Sequence, residues 1–232
     1  MCGRFVLMTP GRSLAEQFGL KEEPLLDPRY NIAPTQLVAI IRLRPDNPQR
    51  MMVLVKWGLV PFWAKDHKIG PKLINARAET AAEKPAFRAA FKYRRCLIPA
   101  DGFYEWKRRV KGTKQPYLIS ASDGKPFAFA GLWEHWKNPD GEVLESCTIL
   151  TTDSNELVQA LHDRMPVILD EKDYDLWLDP DVKDPKILEP LLQSYPSDRM
   201  KSRPVSTRVN KADYDAPDCV EQIFPEEERR RK

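Results

Sequence analysis

Tyr117-Leu118-Ile119-Ser120, Phe127-Ala128-Phe129-Ala130-Gly131-Leu132-Trp133 and Cys147-Thr148-Ile149-Leu150-Thr151 are three strand-like runs separated by Asp123-Gly124 and Asp140-Gly141. β-Branched and aromatic residues bounded by Asp-Gly pairs are a hairpin signal, because Gly accepts the positive φ that tight turns demand. The same texture extends towards the N-terminus, over 37–43, 51–57, 72–77, 95–99 and 102–107. Helical periodicity is confined to short stretches. One lies over 13–18 with Ser13 as cap and Gly19 as stop, and a second over 85–91. A third covers 154–161 behind a capping pair, Asp153 with Glu156, and two more fit 171–178 and 185–193. Strand and helix do not alternate, so a doubly wound parallel sheet is excluded. The expected fold is α+β: a single compact domain over 1–222, with a largely antiparallel, barrel-like β-sheet and flanking short helices. A charged tail follows over 223–232.

The chain has 232 residues, 42% hydrophobic and 31% charged, enough for one sizeable core. Its 21 prolines against 10 glycines suggest a rigid body rich in loops. A net charge of +3 does not by itself announce a polyanionic partner, so any such contact must come from local patches. No apolar run approaches a membrane span and no secretory signal opens the chain, which makes the cytoplasm the expected compartment. Cys2, Cys96, Cys147 and Cys219 are far apart and form no metal-like spacing with His67, His135 or His162, so no metal and no cofactor is expected. A reducing compartment also argues against a disulfide. Cys96 and Cys147 sit in apolar runs and read as core residues.

Cys2 differs by its position. Cys is small enough for Met1 to be removed ahead of it, which would leave a terminal 1,2-aminothiol. A free α-amine titrates near 7.7–8.0, against about 10.4 for Lys, so far more of it is neutral and nucleophilic at neutral pH. Amines condense with carbonyls to Schiff bases. A neighbouring thiol can then add to the imine carbon and close a five-membered thiazolidine, far less prone to hydrolysis. The same residue also suits an N-terminal-nucleophile hydrolase, in which Cys2 attacks an amide and its own amine acts as base. That version is a cysteine peptidase or amidohydrolase acting on other chains or on itself.

Other residues fit the aldehyde chemistry. Glu105 lies between Tyr104 and Trp106, which should desolvate it and raise its pKa towards neutrality. On a strand, Asn75, Arg77 and Glu79 share a face opposite Ile74, Ala76 and Ala78. That pattern suits a pocket wall and equally a half-buried strand whose polar face meets water. His162 falls near the end of a short helix, where it could serve in proton transfer or interact with the helix C-terminus. Basic and aromatic residues alternate in Phe91-Lys92-Tyr93-Arg94-Arg95, which offers Lys92, Arg94 and Arg95 as contacts to single-stranded nucleic acid or as an ordinary solvated face.

A longer pattern joins these residues. Met1-Cys2-Gly3-Arg4-Phe5 is followed by Arg29-Tyr30-Asn31-Ile32-Ala33-Pro34, Trp57-Gly58-Leu59-Val60-Pro61-Phe62-Trp63 and Ile74-Asn75-Ala76-Arg77-Ala78-Glu79-Thr80. Asp101-Gly102-Phe103-Tyr104-Glu105-Trp106, His162-Asp163-Arg164-Met165-Pro166 and Pro204-Val205-Ser206 complete it. In this order the segments resemble the SRAP family, the SOS-response-associated peptidases, over roughly residues 2–210. The resemblance implies a compact β-rich α+β fold and covalent capture of abasic sites in single-stranded DNA by a monomeric protein. It implies Cys2 as the crosslinking nucleophile, Asn75 as its positioning partner, Glu105 as acid/base and His162 in proton transfer or reversal. Arg4, Asn31, Trp63, Arg77 and Arg164 are the implied DNA-binding residues. The family's name reflects the peptidase alternative. A non-catalytic module reading modified bases, with Cys2 dispensable, is a third reading. One departure is Lys211-Ala212-Asp213-Tyr214-Asp215, where the family usually carries an Asn-rich stretch, which puts any DNA contact of that segment in doubt.

Overall fold

The computed structural model describes residues 2–107 and 114–224. Thirteen strands are present among them. They are β1 (Phe5–Leu7), β2 (Arg29–Ile32), β3 (Leu37–Leu43), β4 (Arg50–Trp57), β5 (Asn75–Arg77), β6 (Arg95–Ala100) and β7 (Gly102–Lys107). The remainder are β8 (Gln115–Ala121), β9 (Phe127–Lys137), β10 (Val143–Asp153), β11 (Arg164–Pro166), β12 (Ile168–Leu169) and β13 (Met200–Pro204). The helices are short: α1 (Gly11–Phe18), α2 (Ala78–Ala81), α3 (Arg88–Tyr93), α4 (Glu156–Gln159), α5 (Tyr174–Leu178) and α6 (Pro185–Leu188).

The expected α+β architecture is present, and its sheet closes. β4 pairs with β3, β3 with β6, β6 with β9, β9 with β10, and β10 returns to β4. Closure removes two edges that would otherwise expose unpaired backbone. The long hairpin of β9 and β10, from Gly131 opposite Ile149 to Lys137 opposite Val143, is the pairing marked by Asp140-Gly141. Closure is made by a parallel pair, Ser146 with Lys56 and Cys147 with Trp57. β5 is also parallel to β10, so the sheet is largely but not wholly antiparallel. A second, five-stranded antiparallel sheet runs β13-β8-β7-β1-β2.

The second sheet packs one face on the barrel, through Phe5 and Phe103. Phe5 meets Trp57 and Phe129 edge-on at centroid distances of 5.2 and 5.8 Å, and Phe103 meets Phe129 at 6.1 Å. The opposite face holds a smaller core of Val6, Tyr104, Leu118, Val205, Val209 and Cys219. Period-two alternation along β7 sends Phe103 to one core and Tyr104 to the other. Cys96 and Cys147 are buried in the barrel core as expected, and all four cysteines are free.

Several local expectations shift. α1 starts at Gly11 after Pro10, so Ser13 is inside the helix instead of capping it. Asn155 caps α4 by accepting from the Val158 amide at 3.0 Å, displacing the Asp153–Glu156 pair. The run 72–77 is strand only from Asn75, because His67–Lys72 coils as 3-10 helix around Pro71. The segment expected to be helical over 85–91 becomes α3 three residues later. Both 171–178 and 185–193 split between α-helical and 3-10 turns. The tail from residue 225 lies outside the described residues. Among those described, no helix is long and apolar enough to cross a membrane.

Candidate nucleophile site at the amino terminus

β1 is held between β2 and β7, with Phe5 opposite Phe103 and Val6 opposite Gly102. The Tyr104 amide donates to the Arg4 carbonyl at 3.0 Å, extending the ladder towards the chain start. Antiparallel pairing counts one residue back per residue forward, so Gly3 falls opposite Glu105 and Cys2 opposite Trp106. β5 supplies the next wall. Asn75 Nδ2 donates to the Cys2 carbonyl at 2.8 Å, which fixes the backbone of the second residue. Asn75 Oδ1 is buried without a hydrogen-bond partner among the described residues.

Cys2 is fully buried, and burial pushes its thiol pKa far up, with the neighbouring Glu105 charge adding to the rise. Glu105 is 4% exposed, and desolvation raises its carboxyl from 4.5 to about 7. The positive charge of the chain's amino terminus and the Trp106 amide act in the opposite direction, and Asp163 adds to the rise. A carboxyl titrating near neutrality can both give and take a proton under the same conditions. His162 lies in the turn between α4 and β11, where its amide donates to the Val158 carbonyl at 2.9 Å. Burial and the amino-terminal charge lower its pKa, against the pull of Asp163. Its Nδ1 accepts from the Arg164 amide at 2.9 Å and lies 2.8 Å from Asp163 Oδ1. The first contact suits the neutral ring and the second the protonated one. The net lowering shifts the balance towards the uncharged imidazole. Cys2, Asn75, Glu105 and His162 therefore converge, by hydrogen bonding or by shared electrostatic fields, from four separate segments.

The five expected DNA-contact residues divide into two groups. Trp63 is 50% exposed and stands with Lys72, Asn75, Arg77, Thr80 and Lys84 along an open groove of about 620 Å³. The Trp63 loop is set by a close backbone approach. A Cβ on Gly58, which has φ of 130°, would lie 2.8 Å from the Gly70 carbonyl oxygen. Arg77 is exposed on that groove and pairs with no carboxylate among the described residues.

The other three are engaged internally. Arg4 donates to Asn31 Oδ1 at 3.0 Å and to the Val209 carbonyl at 2.7 Å. Asn31 is fully buried and donates to the carbonyls of Val209, Lys211 and Tyr214. The segment whose sequence departs from the family pattern is thus tied down by Asn31 from behind β2. Arg164 pairs with Glu79 at 2.8 Å and Asp153 at 2.6 Å, and donates to the Thr151 carbonyl at 2.7 Å. Of the basic run after Phe91, Arg94 pairs with the buried Glu134. Arg95 is buried and donates to the carbonyls of Trp177, Phe91, Lys92 and Asp179. Those two are structural, and only Lys92 and Tyr93 are exposed.

Lys84 escaped the reading of the sequence, and Glu79, expected on the strand face of Asn75 and Arg77, lies instead in α2 because β5 ends at Arg77. Lys84 stands nine residues after Asn75 and could have been found as the next base along the same segment. The Glu79–Arg164 pair spans 85 residues and leaves no sequence trace.

The model of the SOS response associated peptidase (SRAP) family matches residues 1–212. The chain is 46% identical over 224 residues to the abasic site processing protein YoqW of Bacillus subtilis, covering 95% of this chain and 99% of that one. It is 34% identical over 202 residues to the abasic site processing protein HMCES of Xenopus tropicalis, covering 77% of this chain and 59% of the longer relative. A crystal structure of a protein from Bacteroides thetaiotaomicron superposes with a TM-score of 0.85 at 26% identity, covering 96% of this chain and all of that one. A protein from Bordetella bronchiseptica superposes at 0.76 with 28% identity, over 88% of this chain and all of its own. With its ordered motifs, closed barrel and buried Cys2 beside Glu105, this chain belongs to the SRAP family.

Proposed function

We propose that this protein processes abasic sites in single-stranded DNA by crosslinking to them through Cys2, once Met1 has been removed. The observation that carries the reading is a carboxyl with a pKa of about 7, Glu105, within electrostatic reach of Cys2, whose carbonyl Asn75 holds. An abasic sugar is mostly a closed hemiacetal. Glu105 takes the proton of the ring hydroxyl and returns one to the ring oxygen, which frees the aldehyde. The α-amine of Cys2 adds to that carbon, and water leaves to give the imine. Burial keeps the thiol protonated, so the amine reacts first. The sulfur then bonds to the imine carbon while its proton passes to the imine nitrogen, closing the thiazolidine with one water lost overall. His162, whose surroundings favour the uncharged imidazole, assists the proton transfers.

Trp63 and Arg77 are the DNA contacts available without rearrangement, one as a stacking surface and the other as a phosphate ligand. Arg4 and Arg164 reach DNA only by exchanging existing bonds, and Asn31 acts by holding the 209–214 segment. A peptidase reading needs a thiolate, which electropositive surroundings favour and burial opposes. The raised Cys2 pKa therefore favours the crosslink.

The test is incubation with a single-stranded oligonucleotide carrying one abasic site, without reductant, followed by a denaturing gel. Wild type is expected to give a stable adduct and Cys2→Ala none. An undiminished adduct in Cys2→Ala overturns the reading.

A further inference from the structure

A second groove, of about 420 Å³, opens between α3 and the start of α6. Arg88 and Lys92 stand at i and i+4 on α3 and so share a face, and Tyr93 follows beside them. Lys183, just ahead of the α6 cap Asp184, comes in from the opposite side. Tyr93 is 49% exposed, with the Lys92 ammonium 5.2 Å and the Lys183 ammonium 6.0 Å from its ring centroid. Two lysines are thus gathered on one exposed ring, and neither they nor Arg88 form an ion pair among the described residues. Gathering like charges costs free energy unless an anion arrives. An exposed aromatic amid unpaired cations is the combination that binds unstacked bases and their phosphates.

The position of the groove decides its occupant. Residues 80–89 serve both grooves: Thr80, Lys84 and Phe87 line the one at Asn75, while Ala82, Arg88 and Ala89 line this one. Exposed Lys84 and Arg88 are cationic steps along the shared wall.

We propose that the groove of Arg88, Lys92, Tyr93 and Lys183 is a second binding site for single-stranded DNA, taking the strand as it runs on from the lesion held at Cys2. This rests on the reading of DNA as the substrate. Its role is affinity for long strands, while the chemistry stays at Cys2.

The experiment uses fluorescence anisotropy with lesion-free single strands of about 6 and about 25 nucleotides, so it does not depend on crosslinking. Lys92→Gln combined with Lys183→Gln changes two exposed side chains, and Tyr93→Leu is tested separately to read stacking. The double variant is expected to bind the long strand about tenfold more weakly. Its log Kd against log salt slope should fall by roughly 1.4, the value for two lost single-strand phosphate contacts. Binding of the short strand, and crosslinking of a short abasic oligonucleotide, are expected to stay at wild-type levels. Unchanged long-strand affinity and slope in both variants would overturn the proposal, even if the crosslink forms. A wild type that binds both strands but never crosslinks would instead sink the Cys2 chemistry and leave the groove standing.

Discussion

Replacing Glu105 with Gln keeps the side chain's shape and removes its charge. Burial carries the carboxyl from 4.5 to about 7, and such a change corresponds to about 3 kcal/mol in favour of the protonated folded state. The folded pKa lies above the unfolded one. The folded protein therefore binds the proton more tightly, and its stability falls as pH rises from about 4.5 through 7. Gln does not titrate. The free-energy gap between the variant and wild type should widen in the variant's favour by about 3 kcal/mol from pH 4 to pH 8. It should do so mostly below pH 7 and level off above. For a chain of this size that is a relative gain of about 6–12 °C in Tm at pH 8. Urea unfolding of both proteins at four pH values across that window reads the effect, and the pH dependence separates it from any constant cost of the amide. A gap that stays constant across the window would show that Glu105 is not a near-neutral carboxyl, and its assigned proton transfers would fall with it. In the crosslinking assay the same substitution should slow adduct formation and remove any rate inflection near pH 7.

Other substitutions test how the site is held. Asn75→Ala removes the bond to the Cys2 carbonyl, worth about 1 kcal/mol. Adduct formation should slow several-fold with Tm little changed, and an unaltered rate would strip Asn75 of its positioning role. Asn31→Ala removes the amide bonds to the carbonyls of Val209, Lys211 and Tyr214, of which Val209 keeps its bond from Arg4. Stability should drop by about 2 kcal/mol, with faster hydrogen exchange confined to 209–214. Arg95→Met removes the guanidinium bonds to four carbonyls at the junction of α3, α5 and β6, and should cost about 3 kcal/mol in urea unfolding while crosslinking continues at permissive temperature. Gly131→Ala would place a Cβ 2.8 Å from Cys96 Sγ and Ile98 Cδ1, and overpacking of this kind should cost about 1–3 kcal/mol.

The sequence revealed most where its signals are local. Asp140-Gly141 marked the β9–β10 hairpin, whereas Asp123-Gly124 joins β8 and β9 of different sheets and makes no hairpin, and the flanking Tyr104 and Trp106 pointed to a desolvated Glu105. Closure of the barrel was not legible in detail, because the β10–β4 seam is a parallel pair between segments some 90 residues apart. Charged residues were the hardest to assign. Arg4, Arg94, Arg95 and Arg164 carry the same side chain as Arg77, yet they are spent on carbonyls and carboxylates that lie distant in the chain. Pattern alone cannot tell a guanidinium that waits for phosphate from one already bonded. The ordered motifs named Cys2, Asn75, Glu105 and His162 together, and the meeting of the chain start with β5 and β7 brings Asn75 and Glu105 to Cys2.

The most direct measurement is mass spectrometry of the adduct after nuclease and trypsin digestion, with and without borohydride. The modification should map to the peptide Cys2-Gly3-Arg4, which begins at Cys2, and carry the sugar remnant minus one water. Borohydride should add no hydrogen, because a closed thiazolidine has no C=N bond to reduce. A modification mapped to another residue, a peptide that retains Met1, or quantitative gain of two hydrogens on reduction would contradict the account.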